Sequence, residues 1–195
     1  MQRRWHANKV GGASPVNSET ADCWPDKAER LFSAEEVSTA LDRQARRVEA
    51  MLPSDQVVTV VALMNGGMYP AIELTRRIRR PLLIEYVHAT RYRGRKTGSE
   101  IDWVHVPGRD RLSGHVLLID DIFDEGYTME AVRDRLMSDG VDGLTTAVLT
   151  LKRHDRGLAR DRVDDFALEV PDRYVFGCGM DLHGYWRQLD EIWAV

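Results

Sequence analysis

Eight consecutive residues, Val57-Val58-Thr59-Val60-Val61-Ala62-Leu63-Met64, carry no charge and are rich in β-branched side chains. A strand with one face in water alternates apolar and polar residues. An unbroken apolar run of this length instead indicates a strand covered on both faces, as in a parallel sheet with helices above and below. The rest of the chain fits that frame. Further strands are expected at Leu82-Leu83-Ile84-Glu85-Tyr86-Val87, at His115-Val116-Leu117-Leu118-Ile119 and from Leu144 to Leu151, with shorter ones at Phe166-Ala167-Leu168 and Tyr174-Val175-Phe176. Helical patterns lie between them. Ser33-Ala34-Glu35-Glu36 fits a capping box, after which Val37, Leu41, Ala45, Val48 and Leu52 recur at helical spacing until Pro53-Ser54-Asp55. Asn65-Gly66-Gly67 breaks the apolar run, and a second helix is expected from Met68 to about Ile78, stopped by Pro81. A third is expected from about Tyr127 to Ser138, with Gly140 where a left-handed cap would stand. Strand and helix in alternation give an α/β fold with a mainly parallel sheet.

At 195 residues one domain is the natural expectation, spanning 33–195. Residues 1–32 read as an irregular arm, with Gly11-Gly12-Ala13-Ser14-Pro15 and Trp24-Pro25 as punctuation. The segment His88–Arg111 reads as a long, polar, basic excursion with little core material beyond Ile101, Trp103 and Val104. The net charge of −4 argues against a sequence-independent nucleic-acid binder. No apolar run approaches the ~20 residues that span a bilayer, and the Met1-Gln2-Arg3-Arg4-Trp5 start lacks the apolar core of a secretory signal. The two cysteines, Cys23 and Cys178, cannot build a disulfide framework or a cysteine zinc site, so a reducing cytoplasm is expected. No P-loop motif occurs, and Gly177-Cys178-Gly179 lacks the third glycine of a dinucleotide fingerprint.

Ligands of open parallel sheets bind at the carboxyl ends of the strands. The strand at 115–119 delivers Asp120-Asp121-Ile122-Phe123-Asp124-Glu125-Gly126-Tyr127-Thr128, which gathers four carboxylates despite their mutual repulsion. Cations or hydroxyl-rich ligands offset that cost. Gly126 admits close backbone approach, and Thr128 places a hydroxyl where helix amides attract phosphate. Carboxylates beside a phosphate cradle suggest a sugar phosphate. The plain alternative is an acidic loop that caps a helix.

Residues Val116 to Thr128 closely resemble the phosphoribosyl-pyrophosphate signature of the type I phosphoribosyltransferases. Lys152-Arg153, Pro171-Asp172-Arg173-Tyr174-Val175 and Gly179-Met180-Asp181 are similar to purine-binding elements of the hypoxanthine-guanine branch, and the resemblance covers about residues 35–195. It implies a central sheet flanked by helices, a small hood formed by N- and C-terminal segments, and a mobile lid. It also implies transfer of a phosphoribosyl group from phosphoribosyl pyrophosphate to a 6-oxopurine, hypoxanthine or guanine, with Mg2+ as cofactor and a homodimer or homotetramer as the assembly.

By the same resemblance, Asp120 and Asp121 would meet the ribose hydroxyls and magnesium, with Asp181 as a further metal ligand. Asp124 would be the general base or proton relay at the purine N7. Glu125, Gly126, Tyr127 and Thr128 would hold the 5′-phosphate. Asn65, Gly66 and Arg187 would meet pyrophosphate. Lys152 would donate to the purine O6, Tyr174 would stack on the ring and Val175 would offer backbone groups to the base edge. Taken alone, Lys152 is equally a snorkelling strand-end lysine, and Tyr174 more commonly an ordinary core tyrosine; His154, which follows Lys152-Arg153, is either near the active site or, on the safer reading, a surface histidine.

Relatives carry a non-proline cis peptide in the pyrophosphate loop, which places one at Met64–Asn65; an ordinary trans Gly-Gly turn is the alternative. Three departures stand out. Asn65 replaces the Lys or Arg common in relatives, Arg91-Tyr92 stands where a Ser-Tyr lid pair is common, and Asp120 replaces Glu. Arg187 or the bases of 88–111 would supply the charge that Asn65 lacks. Two other readings stay open: a regulator of the same fold that senses phosphoribosyl pyrophosphate and binds nucleic acid, and a transferase preferring xanthine or a pyrimidine.

Overall fold

The computed structural model describes residues 24–25, 27–91, 101–112 and 114–195. In chain order the elements are β1 (Glu29–Phe32), α1 (Ala34–Met51), β2 (Val58–Met64), α2 (Met68–Thr75), β3 (Leu83–Arg91), β4 (Ile101–His105), β5 (His115–Phe123), α3 (Tyr127–Ser138), β6 (Gly143–Lys152), β7 (Asp165–Val170), β8 (Val175–Phe176) and β9 (Ile192–Ala194). Six strands form one sheet in the order β4-β3-β2-β5-β6-β7, parallel throughout except for β4 at the edge. A second, antiparallel sheet, β1-β9-β8, forms a small hood.

The apolar run at 57–64 does become a central strand. Val58, Val60 and Ala62 face one cluster with Val37, Leu41, Val48, Ala71 and Leu74 of α1 and α2. Val61 and Leu63 face the other, with Met129, Val132 and Leu136 of α3. Both faces are covered, which explains why the sequence does not alternate. The hood joins the first cluster through Val175, Cys178, Met180, Ile192 and Ala194. Gln44 is buried in that layer, and its Nε2 donates to the Val148 carbonyl at 2.8 Å.

The capping box at the start of α1 forms as expected. The Glu36 amide donates to Ser33 Oγ at 3.3 Å, and the Ser33 amide donates to Glu36 Oε2 at 2.9 Å. Ser33→Ala is expected to cost about 1 kcal/mol, read as a lower urea midpoint with the unfolding slope unchanged. Gly140 follows α3 with φ of 90°, as its capping role requires.

Several boundaries differ from expectation. The end of the N-terminal arm is not irregular: residues 29–32 are β1, paired with β9. Trp24 also packs edge-on against Phe176, Trp186 and Trp193 of the hood. The start of the polar excursion is not loop. β3 runs on to Arg91, and β4 returns beside it through Ala89↔Trp103 and Arg91↔Ile101. α2 stops at Thr75, short of Ile78. β5 continues to Phe123, because Asp120 and Ile122 keep their ladder partners Val148 and Thr150 on β6. Among the described residues no helix is long and apolar enough to cross a membrane.

Candidate active site

The carboxyl ends of β2, β5 and β6 and the hood strands surround one cleft of about 540 Å³. Four groups of residues build it.

The first is the loop after β2. The Met64–Asn65 peptide is cis, as expected, and Asn65 and Gly66 line the cleft. A Cβ on Gly66 would lie 1.9 Å from Asp121 Oδ2. This position therefore needs glycine for close approach, not for its dihedral angles.

The second is the acidic end of β5. Asp121 is buried, and its amide donates to Asp120 Oδ1 at 2.8 Å. Thr150 Oγ1 donates to the Asp121 carbonyl at 3.0 Å. Burial pushes the Asp120 carboxyl well above its usual range, and the neighbouring Asp121 charge adds to the push. Burial also raises Asp121, against the opposing hydrogen bonds and the Arg187 charge. Two crowded, desolvated carboxylates of this kind call for positive charge from a ligand.

The third is the turn into α3. Gly126 has φ of 79°, and no side chain caps the helix. The amides of the first turn thus point into the cleft beside Thr128, an arrangement that favours phosphate. The turn is braced from behind, where the Leu158 amide donates to the Glu125 carbonyl at 2.9 Å. Asp124, between the acidic pair and this turn, accepts from Lys152 Nζ at 2.7 Å and is hydrogen-bonded to His154 Nε2 at 2.6 Å. Burial raises its carboxyl, but the bonds from Lys152 and His154 outweigh it and hold it below the usual carboxylate range.

The fourth is the hood. Tyr174 is half exposed and Val175 buried, and both line the cleft with Met180. Arg187 Nη1 donates to the Gly179 carbonyl at 2.6 Å, and Nη2 pairs with Asp181 Oδ1 at 2.6 Å. The other Asp181 oxygen accepts the Gly184 amide at 2.7 Å. Arg187 also comes within 3.8 Å of Asp121 Oδ2. A salt bridge of Arg156 to Asp172, with both contacts at 2.6 Å, stands at the cleft's edge, and the guanidinium lowers Asp172 to about 2.

The structure thus brings Asn65, Gly66, Asp120, Asp121, Asp124, Glu125, Gly126, Tyr127, Thr128, Lys152, Tyr174, Val175, Asp181 and Arg187 to one cleft. Among the described residues no group of three His, Cys, Asp or Glu is spaced for a metal, and Asp181 is paired with Arg187. Of the lid pair, Arg91 is the last residue of β3, and Tyr92 lies outside the described residues.

One expectation is overturned. His154 is not a surface histidine: its side chain is only 5 % exposed and sits on Asp124. The signal was its spacing. His154 follows Lys152 by two residues, so both fall on the same side where a strand's period-2 direction continues past its end. The Arg156–Asp172 pair was also missed, and two oppositely charged residues 16 positions apart give no sequence cue.

Comparison with known proteins adds a second line. The sequence profile described as "Phosphoribosyl transferase domain" matches residues 33–183. The chain is similar to the hypoxanthine-guanine phosphoribosyltransferase of Aquifex aeolicus, 29% identical over 170 residues, covering 87% of this chain and 95% of that protein. It is likewise 29% identical over 168 residues to the hypoxanthine phosphoribosyltransferase of Haemophilus influenzae, covering 85% and 93%. Its fold matches the crystal structure of a hypoxanthine-guanine phosphoribosyltransferase from Bacillus anthracis, with a TM-score of 0.74 at 21% identity, covering 86% of this chain and 97% of that one.

Proposed function

The chain belongs to the phosphoribosyl transferase domain family, and on that premise we propose that it joins hypoxanthine or guanine to phosphoribosyl pyrophosphate, giving a nucleoside monophosphate and pyrophosphate in purine salvage. The observation that carries this reading is the layout of the cleft. Two sets of groups line it: the acidic pair Asp120–Asp121 with the uncapped α3 amides, and Asp124, gripped by Lys152, with the hood residues Tyr174 and Val175. A sugar phosphate fits the first and a base with a carbonyl edge fits the second.

Each group then has a task. The backbone at Glu125–Tyr127 and the Thr128 hydroxyl hold the 5′-phosphate. Asp120 and Asp121 hold the ribose hydroxyls and a magnesium ion. The fit is reasonable: these are hard oxygen donors, desolvated and close together, and magnesium is commonly bound by one or two carboxylates plus substrate phosphates. When bound, it supplies positive charge to the diphosphate leaving group. Asn65 and Gly66 offer their backbone to the pyrophosphate, and Arg187, oriented by Asp181 and the Gly179 carbonyl, offers charge.

The Lys152 ammonium has three N–H bonds, so it can hold Asp124 and still donate to the purine O6. Tyr174 stacks on the base. The reaction forms a bond from purine N9 to the anomeric carbon and breaks the bond from that carbon to the pyrophosphate oxygen, which leaves with the electron pair. Asp124 accepts the N7–H and takes the proton as positive charge builds on the base. Its lowered pKa keeps it ionised for that task. The buried free thiol of Cys178 is consistent with a reducing, cytoplasmic setting.

The test is a competition assay with all common nucleobases, phosphoribosyl pyrophosphate and magnesium, read by nucleotide mass. Inosine and guanosine monophosphate are the expected products, with no adenosine monophosphate. A Lys152 donor facing a 6-amino group would leave two donors opposed, and such mismatches discriminate strongly. Xanthosine monophosphate alone would move the assignment to xanthine. No nucleotide at all, with retained binding to RNA or DNA, would point to a regulator.

A further inference from the structure

Asp124 is held at both oxygens, and the second holder has no role in the reading above. Lys152 reaches Oδ2 at 2.7 Å, and His154 Nε2 reaches Oδ1 at 2.6 Å. A carboxylate turns broadly about its terminal bond. One contact from a flexible lysine does not stop that rotation, whereas contacts on both oxygens do. Once a purine carbonyl draws on the Lys152 ammonium, His154 becomes the holder that no substrate atom competes for.

The imidazole is itself oriented. The backbone amide of Arg156 donates to His154 Nδ1 at 3.1 Å. A backbone N–H cannot turn round, so Nδ1 must present its lone pair. The ring proton is thereby assigned to Nε2, where it is donated to Asp124. With the side chain only 5 % exposed, water does not readily replace either bond.

We propose that His154 is a positioning residue: in its Nε2-protonated form it fixes the Asp124 carboxylate in the orientation that receives the purine N7–H. The proposal rests on the transferase reading, and its tests separate the two. It assigns a task to a residue outside the phosphate loop and the base-stacking wall, in the turn Arg153–Arg156 after β6.

Three variants and one spectrum decide it. His154→Ala removes both bonds. His154→Gln can place an amide N–H near the former Nε2 position. His154→Asn reaches only the Nδ1 side, toward Arg156. Misplacement of a reacting group by about 1 Å can cost on the order of 100-fold. His154→Ala is therefore expected to lower kcat about 10- to 100-fold, with KM for phosphoribosyl pyrophosphate within about twofold. Gln is expected to recover most of the rate and Asn little of it. A purely structural anchor for the turn would give the opposite order, with Asn matching or exceeding Gln. That order, an unaffected Ala variant, or Gln no better than Ala would each overturn the proposal.

The spectrum is independent of catalysis. Ring-nitrogen NMR of labelled protein should show His154 protonated at Nε2, with that signal perturbed in Asp124→Ala. A ring protonated at Nδ1 overturns the proposal. If the wild-type protein makes no nucleotide, the transferase reading fails, and the spectrum still decides whether His154 grips Asp124 in this form.

Discussion

An Asp124→Asn protein is expected to fold and to bind phosphoribosyl pyrophosphate, yet to turn over roughly a hundredfold to ten-thousandfold more slowly, the range typical for losing a positioned acid–base group. The amide keeps the shape of the carboxylate but not its charge or its two acceptors. Lys152 Nζ and His154 Nε2 each donate to a separate Asp124 oxygen. Asparagine has one oxygen, so one of the two donors must face an NH2 group instead. The purine N7–H loses its acceptor at the same time. Binding of phosphoribosyl pyrophosphate, which draws on Asp120, Asp121 and the α3 amides, should change little. Steady-state kinetics with titration calorimetry separates these effects. A kcat within twofold of wild type would remove Asp124 from the proton transfer.

Gly179→Ala is the second large effect, and it acts through backbone. Gly179 has φ of 105°, where side chains are strained, and a Cβ there would sit 2.2 Å from the Gly66 carbonyl oxygen. Its own carbonyl receives Arg187. The hood, the pyrophosphate loop and the acidic pair therefore meet at this residue, with no flexible side chain to give way. Backbone strain of this kind costs about 1–3 kcal/mol, and overpacking a tight contact costs about 1–3 kcal/mol more. Against a total stability of about 5–15 kcal/mol, the variant should show a markedly lower denaturant midpoint and lose binding of phosphoribosyl pyrophosphate. Gly184→Ala is the control: its φ is 88°, but nothing lies within 4 Å of the added carbon. It should show the strain alone. Equal effects at the two sites would mean that the contact with Gly66 carries no energy.

How far the sequence could be read depended on whether the information was local. The parallel strands were legible because burial on both faces leaves unbroken apolar runs, and α1 was legible from Ser33, Glu36 and the spacing of Val37, Leu41 and Val48. The phosphate loop was legible because one continuous stretch, Asp120–Thr128, carries it. What escaped was set by partners distant in sequence. β1 has only four residues and β9 three; β1 is a strand only through its ladder with β9, which is itself held between β1 and β8. β5 outlasts its expected end because Asp120 and Ile122 stay in register with β6, although charged residues disfavour strands. His154 was read as surface because a polar turn usually is. Its burial depends on the turn folding back onto Asp124, and the two-residue spacing from Lys152 was the one local cue to it.

The hood also has a consequence for the order in which the molecule is made. Glu29 pairs with Ala194 across nearly the whole chain, and β8 pairs with the same strand. Contacts this distant form late, because a long loop must close before they contribute. On a ribosome, β2, β5 and β6 emerge with their helices and can assemble, while β1 waits without a ladder partner. The wall that presents Val175 and Arg187 is then the final part to set, so a nascent chain can carry a folded sheet and a formed acidic pair while its base-binding side is still open.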